Sequence, residues 1–295
     1  MLALNQIYNM DCLEGMKKLE SDSIHCCITS PPYWALRDYG CPEQIGQEDT
    51  PGEYVERLLA VFHEVYRVLR PDGTFWLNIA DTYCSSAKAN RTGEKPKIKP
   101  KDLCGIPWAL AFALRDAGWY LRQEIIWHKI KCVPESVTDR CVKAHESVFL
   151  FAKSRQYHFD YKAIQEPVAK STIERSKRAV SDQNKYAEGV PGQAKQAIYR
   201  PRPRMSMEIP QMRNKRSVWA LSPQSLKDAH FAAFPRALVE PCILAGCPVG
   251  GIVMDPFMGS GTTAMTAKIL GRQYIGFEIN PEYISISEKR IQKGK

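Results

Sequence analysis

The chain has 295 residues with 41 Lys and Arg against 32 Asp and Glu, a net charge of +9, and a 44% hydrophobic fraction. A chain of this length can bury a full core and often forms one large α/β domain with an insertion. With no apolar run of about 18 residues and no basic-then-apolar N-terminal signal, neither a membrane span nor export is expected.

In chain order, the first strong signal is the apolar run Ile24 to Ile28, read as a buried strand. It is followed by Thr29-Ser30-Pro31-Pro32-Tyr33-Trp34. Two prolines cannot continue a sheet ladder, so the chain must leave the strand as an extended loop. There the Ser30 hydroxyl and the Pro31 carbonyl can both face a cleft as acceptors, with Tyr33 and Trp34 offering aromatic faces. Taken alone, the segment is equally a proline-stiffened turn with two packed aromatics. Glu53 to Leu69 follows as a helix, with apolar residues at Val55, Leu58, Leu59, Phe62, Val65, Tyr66 and Leu69, ended by Arg70-Pro71-Asp72-Gly73. Thr74 to Ile79 is a strand, Pro107 to Ala117 a helix closed by Gly118, and Tyr120 to Trp127 and Glu146 to Ala152 are strands. After a long polar stretch come a helix over Arg236 to Ala245, the strand Ile252 to Met254, a helix over Thr262 to Leu270 and the strand Gln273 to Glu278. This alternation predicts an α/β fold with a doubly wound, mostly parallel sheet. The ligand crevice is expected where strand order reverses, at the C-terminal ends of adjacent strands.

Between two of these elements lies Asp255-Pro256-Phe257-Met258-Gly259-Ser260-Gly261-Thr262-Thr263, glycines at a strand-to-helix turn. Gly259 and Gly261 let the backbone approach a ligand closely, and the helix N-terminus beyond offers free amides to an anion. The turn lacks the Gly-Lys-Ser/Thr ending of a P-loop, but Gly259-x-Gly261-x-x-Ala264 fits the loose dinucleotide fingerprint. Glu278, at the end of the following strand, is placed to accept hydrogen bonds from ribose hydroxyls. Both features suit NAD and S-adenosylmethionine equally.

The upstream segment separates the two. An aromatic amine has its lone pair delocalised into its ring; two acceptors holding its N–H bonds make the nitrogen more tetrahedral and available for attack, while Tyr33, and Trp34 beside it, would stack on the base. Ser30-Pro31-Pro32-Tyr33 early and Asp255 to Thr263 late, in this order, resemble the permuted beta group of amino-directed DNA methyltransferases, which modify adenine-N6 or cytosine-N4. The likeness covers nearly the whole chain, most weakly between residues 154 and 217. It implies a catalytic half over residues 1–153, a target-recognition insertion over 154–217 and a cofactor-binding half over 218–295.

Further implications of the resemblance follow where residues match. The cofactor is S-adenosylmethionine, with Asp11 at its adenine amino group, Phe257 against it, and the Gly259 to Thr262 amides, with Ser260 and Gly261 among them, near its methionine carboxylate. Thr29, Asp255 and Glu278 complete the pocket. His230 to Pro235, with Phe234 and Pro235 at its end, resembles the segment covering the methionine portion. Ser30, Pro31, Pro32 and Tyr33 are the expected catalytic residues, and Ser rather than Asp at residue 30 leans toward cytosine-N4. The base is flipped and methylated directly, with no covalent enzyme intermediate. Pro241-Cys242 falls in a predicted helix rather than a catalytic loop, against a cytosine-C5 nucleophile.

The whole of the net charge of +9 lies between Lys153 and Arg216. Arg200, Arg202, Arg204, Arg213, Lys215 and Arg216 there read as phosphate contacts to double-stranded DNA, or as a solvated basic linker. Lys88 to Lys101, opposed only by Glu94, reads as a loop over DNA or a disordered one. Ten cysteines form no Cys-x-x-Cys pair, so reduced thiols are expected, and six histidines form no His-Glu-x-x-His cluster, so no metal is expected. The resemblance implies a cytoplasmic protein, prokaryotic or phage-encoded. Its group often forms homodimers, but neither a dimer nor a cognate restriction nuclease is legible in the sequence. Two other classes fit the same motifs: an RNA or protein-amide methyltransferase, and a catalytically silent DNA-binding module.

Overall fold

The computed structural model describes residues 2–41, 43–85, 98–132, 134–177, 211–225 and 232–294. These form two compact units, residues 1–163 with 216–295, and residues 164–215.

The first unit is built on an eight-stranded sheet. Its strands are β1 (Gln6–Asn9), β2 (Ile24–Thr29), β3 (Leu69–Ile79), β4 (Tyr120–Lys129), β5 (His145–Ala152), β6 (Val218–Leu221), β7 (Ile252–Asp255) and β8 (Gln273–Glu278), in the spatial order β1-β8-β7-β2-β3-β5-β4-β6. All neighbours are parallel except that β5 runs antiparallel to both β3 and β4. The central strands are buried along almost their whole length, as strands covered on both faces must be. His25 belongs to this scaffold: its Nδ1 accepts from the Ile252 amide at 3.1 Å, tying β7 to β2.

The helices are α1 (Cys12–Met16), α2 (Pro51–Val68), α3 (Ile106–Asp116), α4 (Arg236–Gly246), α5 (Thr262–Ile269) and α6 (Pro281–Lys293). Helix α2 begins two residues earlier than its apolar periodicity predicts. Thr50 caps it, Pro51 supplies the first-turn φ, and Glu53 returns a bond to the Thr50 amide. Its buried side, Tyr54, Leu58, Val61, Phe62, Val65 and Val68, packs into one core with Phe75, Trp119, Phe149 and Phe151. The strand expected from Thr74 already begins at Leu69 and includes Arg70 to Gly73. The chain passes from Val68 directly into β3, and a register irregularity absorbs these residues: Ile24 pairs with Leu69 while Cys26 already pairs with Thr74.

The second unit contains a two-stranded antiparallel pairing of Glu166–Pro167 with Met212–Arg213 and a short helix, Lys170–Lys177. Arg200, Arg202, Arg204 and the tract from Lys88 to Lys97 lie outside the described residues. No described helix is long and apolar enough to cross a membrane.

Candidate active site

Strands β2 and β7 are parallel neighbours, with Val253 opposite Cys26 and Met254 opposite Cys27. Their C-terminal ends therefore release the Ser30 loop and the glycine turn side by side. Thr29 Oγ1 donates to Asp255 Oδ1 at 2.6 Å and bonds the two exits together. Above them opens a cavity of about 350 Å³ lined by Asp11, Ser30, Pro31, Pro32, Tyr33, Phe234, Phe257, Gly259, Ser260, Thr262 and Glu278, and also by Asn78, Trp127, Lys129 and Glu146.

On one side, Glu278 is largely buried, which raises its carboxyl pKa, and it accepts from the Gly259 amide at 2.8 Å and the Asn280 amide at 2.8 Å. The Ile279 amide also bonds to it, and because a carboxylate has about four acceptor positions, room remains for a ribose hydroxyl. Asp11 caps α1 through the Leu13 and Glu14 amides while lining the same wall. The Gly259 and Gly261 amides are spent on Glu278 and the Met258 carbonyl, and the amides of the first turn of α5 complete a setting that suits a ligand with a ribose and an anionic end, as S-adenosylmethionine has.

Four of the expected cofactor residues do not line the cavity. Asp255 is fully buried behind it, with every oxygen spent on the fold: Oδ1 accepts from Thr29 and from the Phe257 amide at 3.0 Å, and Oδ2 from Thr263 Oγ1 at 2.7 Å. Thr29 is buried with it. Gly261 does not face the ligand side either. Its φ is +78°, and a Cβ there would lie 2.6 Å from Ser287 Cβ on α6, so glycine is needed for the turn and for helix packing. Pro235 caps α4 while Phe234 reaches the cavity. His230 and Phe231 lie outside the described residues.

Burial raises the Asp255 pKa from 3.8 to about 6, against the three hydrogen bonds that lower it. The unfolded carboxyl thus loses its proton at lower pH than the folded one. Its contribution favours the fold below the unfolded pKa of 3.8 and is lost as pH rises through about 6. Asp255→Asn is expected to remove this fall, on the order of 3 kcal/mol between pH 4 and 7. Denaturant melts of both proteins across that range check it; parallel stability curves would rule Asp255 out as the titrating group.

On the other side, Ser30 sits in a polar network. Ser30 Oγ donates to the Tyr33 hydroxyl at 3.2 Å, and Tyr33 donates to Glu146 Oε2 at 2.6 Å. Asn78 Nδ2 lies 3.2 Å from Ser30 Oγ, 2.8 Å from the Tyr33 hydroxyl and 2.8 Å from Glu146 Oε2. Lys129 Nζ pairs with Glu146 Oε1 and lies 5.0 Å from the centre of the Trp127 ring. Burial, the Glu146 charge and its hydrogen bond hold the Tyr33 phenol well above its ordinary pKa, so it stays protonated as a donor. The Pro31 carbonyl has no hydrogen-bond partner among the described residues, whereas Tyr54 donates to the Pro32 carbonyl at 2.8 Å and braces the loop.

Sequence reasoning missed Asn78, Lys129 and Glu146. Each stands within or beside an apolar strand run, and only the pairing of β3, β4 and β5 brings them to Ser30. Trp34 is a correction: it is buried in the core with Nε1 donating to the Glu48 carbonyl, and it does not line the cavity. Cys242 is buried inside α4 and bonds to the Leu238 carbonyl, away from any reacting group. All ten cysteines are free thiols. Among the described residues, no cluster of His, Cys, Asp or Glu could hold a metal.

Of the remaining basic candidates, Arg213 and Lys215 pair with Glu166 at 3.5 and 3.4 Å in the second unit, and the Arg216 carbonyl accepts from Trp219 Nε1 at 2.8 Å. Lys101 pairs with Asp139 at 2.6 Å and Lys99 with Asp102 at 3.5 Å.

The DNA methylase family model, N6_N4_Mtase, matches residues 24–289. A Type II methyltransferase of Xanthomonas campestris pv. cyanopsidis, M.XycI, is 41% identical over 97% of this chain and 87% of its own length. M.Cfr9I of Citrobacter freundii, also a Type II methyltransferase, is 39% identical over the same shares. Among solved structures, the cytosine-N4-specific PvuII DNA methyltransferase superposes with a TM-score of 0.67 at 20% identity, covering 100% of this chain and 95% of its own. A putative DNA modification methylase of Thermus thermophilus, solved with S-adenosyl-L-methionine, gives 0.62 at 21% identity over 98% and 93%. The chain belongs to the N6/N4 DNA methylase family and is an S-adenosylmethionine-dependent DNA methyltransferase.

Proposed function

We propose that the protein is a site-specific methyltransferase of restriction-modification type, acting on an exocyclic amine of a base flipped out of double-stranded DNA, with cytosine-N4 favoured over adenine-N6. The observation that carries this reading is the convergence of the Ser30 network and the glycine turn on one cavity. The Type II relatives support the site-specific role, and serine at residue 30 supports cytosine.

Bound S-adenosylmethionine supplies a methyl group activated by its sulfonium. This chain's own residues prepare the acceptor. The Ser30 O–H points to Tyr33 and the Tyr33 O–H to Glu146, so the two hydroxyls are polarised in one direction toward a carboxylate. Ser30 Oγ thereby presents a strengthened lone pair to the amine, and the Pro31 carbonyl presents another. As the nitrogen attacks, its surplus proton has a route through Ser30 and Tyr33 to Glu146. The Tyr33 ring and Trp127 line the side where a flipped base would enter. Arg200, Arg202, Arg204, Arg213, Lys215 and Arg216 serve the phosphate backbone in this reading.

The test is incubation with S-adenosylmethionine and mixed-sequence duplex DNA, followed by nucleoside mass spectrometry. N4-methylcytosine is expected. N6-methyladenine would overturn the base preference alone, and no methylated nucleoside despite bound cofactor would overturn the proposal in favour of an RNA or protein-amide methyltransferase or a silent DNA-binding module.

A further inference from the structure

Arg290 lies on α6 and reaches beneath the glycine turn. Its Nη1 donates to the Ser260 carbonyl, to Ser260 Oγ at 2.7 Å and to Thr262 Oγ1 at 3.2 Å. No carboxylate among the described residues pairs with it, and burial alone lowers its pKa, with no neighbouring charge acting on it. A guanidinium remains protonated in a protein, so the fold holds an uncompensated cation in a place where desolvation is costly.

The two hydroxyls it touches are almost wholly buried, and both residues line the cavity. A hydroxyl oxygen that accepts from a guanidinium cannot aim its own proton back at that donor. Neither the Ser260 nor the Thr262 hydroxyl has an acceptor for that proton among the described residues. The result is two unspent O–H donors, fixed in direction by a cation behind them, beside the free amides at the start of α5. This arrangement is built for a negative charge.

We propose that Arg290 is a positioning residue for the cofactor, the buried counter-charge of its methionine carboxylate, acting through the hydroxyls of Ser260 and Thr262. The proposal rests on reading the cavity as the cofactor pocket. Arg290 does not touch the ligand; it orders and polarises the groups that do, and this role accounts for a cation that has no carboxylate partner among the described residues.

The test is calorimetric titration of the full chain with two ligands: S-adenosylhomocysteine, and 5′-methylthioadenosine, which keeps the adenosine and thioether but lacks the carboxylate and ammonium. Arg290→Met is expected to weaken S-adenosylhomocysteine about tenfold and methylthioadenosine less than about twofold, with Arg290→Lys recovering part of the loss. The pair Ser260→Ala with Thr262→Val, which leaves Arg290 in place, is expected to show the same selective loss and serves if Arg290→Met does not fold. Unchanged S-adenosylhomocysteine affinity, or equal loss of both ligands, would overturn the role. Glu278→Ala is the separate control on the pocket and is expected to weaken both ligands. If it binds both normally, the pocket reading falls and this proposal with it.

Discussion

Ser30→Ala is expected to lower the single-turnover methylation rate by roughly two orders of magnitude while changing S-adenosylmethionine affinity by less than about twofold. The asymmetry follows from position. Ser30 Oγ is bonded into the network of Tyr33, Asn78 and Glu146, whereas the glycine turn is bonded to Glu278. Removing it takes one acceptor from the amine and cuts the hydroxyl chain to Glu146, an interaction that grows as the nitrogen becomes positive. The fold should tolerate the change, because Asn78 and Tyr33 keep their bonds to Glu146. Rapid-quench kinetics with separate cofactor titration checks it, and equal losses in rate and affinity would remove Ser30 from the acceptor role.

The second large effect is expected at Glu146. Its side chain is 8% exposed and that of its partner Lys129 25%, and it also accepts from Tyr33 and Asn78. Glu146→Ala leaves a largely buried ammonium and two polar groups without their acceptor, a loss of about 3 kcal/mol in unfolding free energy. Turnover should fall with it, by more than about tenfold, since Tyr33 loses the group that orders it. Stability and catalysis are separable here. Glu146→Leu combined with Lys129→Met removes both charges together and is expected to regain most of the stability but not the turnover. Denaturant melts and single-turnover rates on the two variants decide the matter; a double variant with restored turnover would reduce Glu146 to a structural acid. Glu146→Gln keeps the shape and one acceptor, and should lie between wild type and Glu146→Ala in rate.

The fold was legible where physical chemistry is local. Short runs such as Ile24 to Ile28 and Gln273 to Glu278 read as strands of a covered sheet, and the spacing of Leu58, Phe62 and Val65 reads as one buried helical face; the structure has both. Errors arose where a distant partner decides. Arg70-Pro71-Asp72-Gly73 has turn composition, yet pairing of β3 with β2 keeps it in the strand through a register irregularity. Trp34 follows Tyr33 directly, yet the loop turns it into the core, where the Glu48 carbonyl satisfies its N–H.

By itself, the sequence determined that a proline-stiffened Ser30 loop and a glycine turn each leave the end of a strand, because consecutive prolines cannot continue a sheet ladder and glycines permit the positive φ that a tight turn needs. Only the tertiary structure decided what surrounds them. The spatial order β7-β2-β3-β5-β4 puts Thr29 against Asp255, turns that aspartate into a buried tie rather than a ligand contact, and carries Asn78, Lys129 and Glu146 to Ser30 from three strands. It also sets Arg290 beneath the glycine turn. Hydrogen bonds and ion pairs between residues tens to hundreds of positions apart leave no periodicity to read, since their partners are chosen by strand order and register rather than by neighbours in the chain.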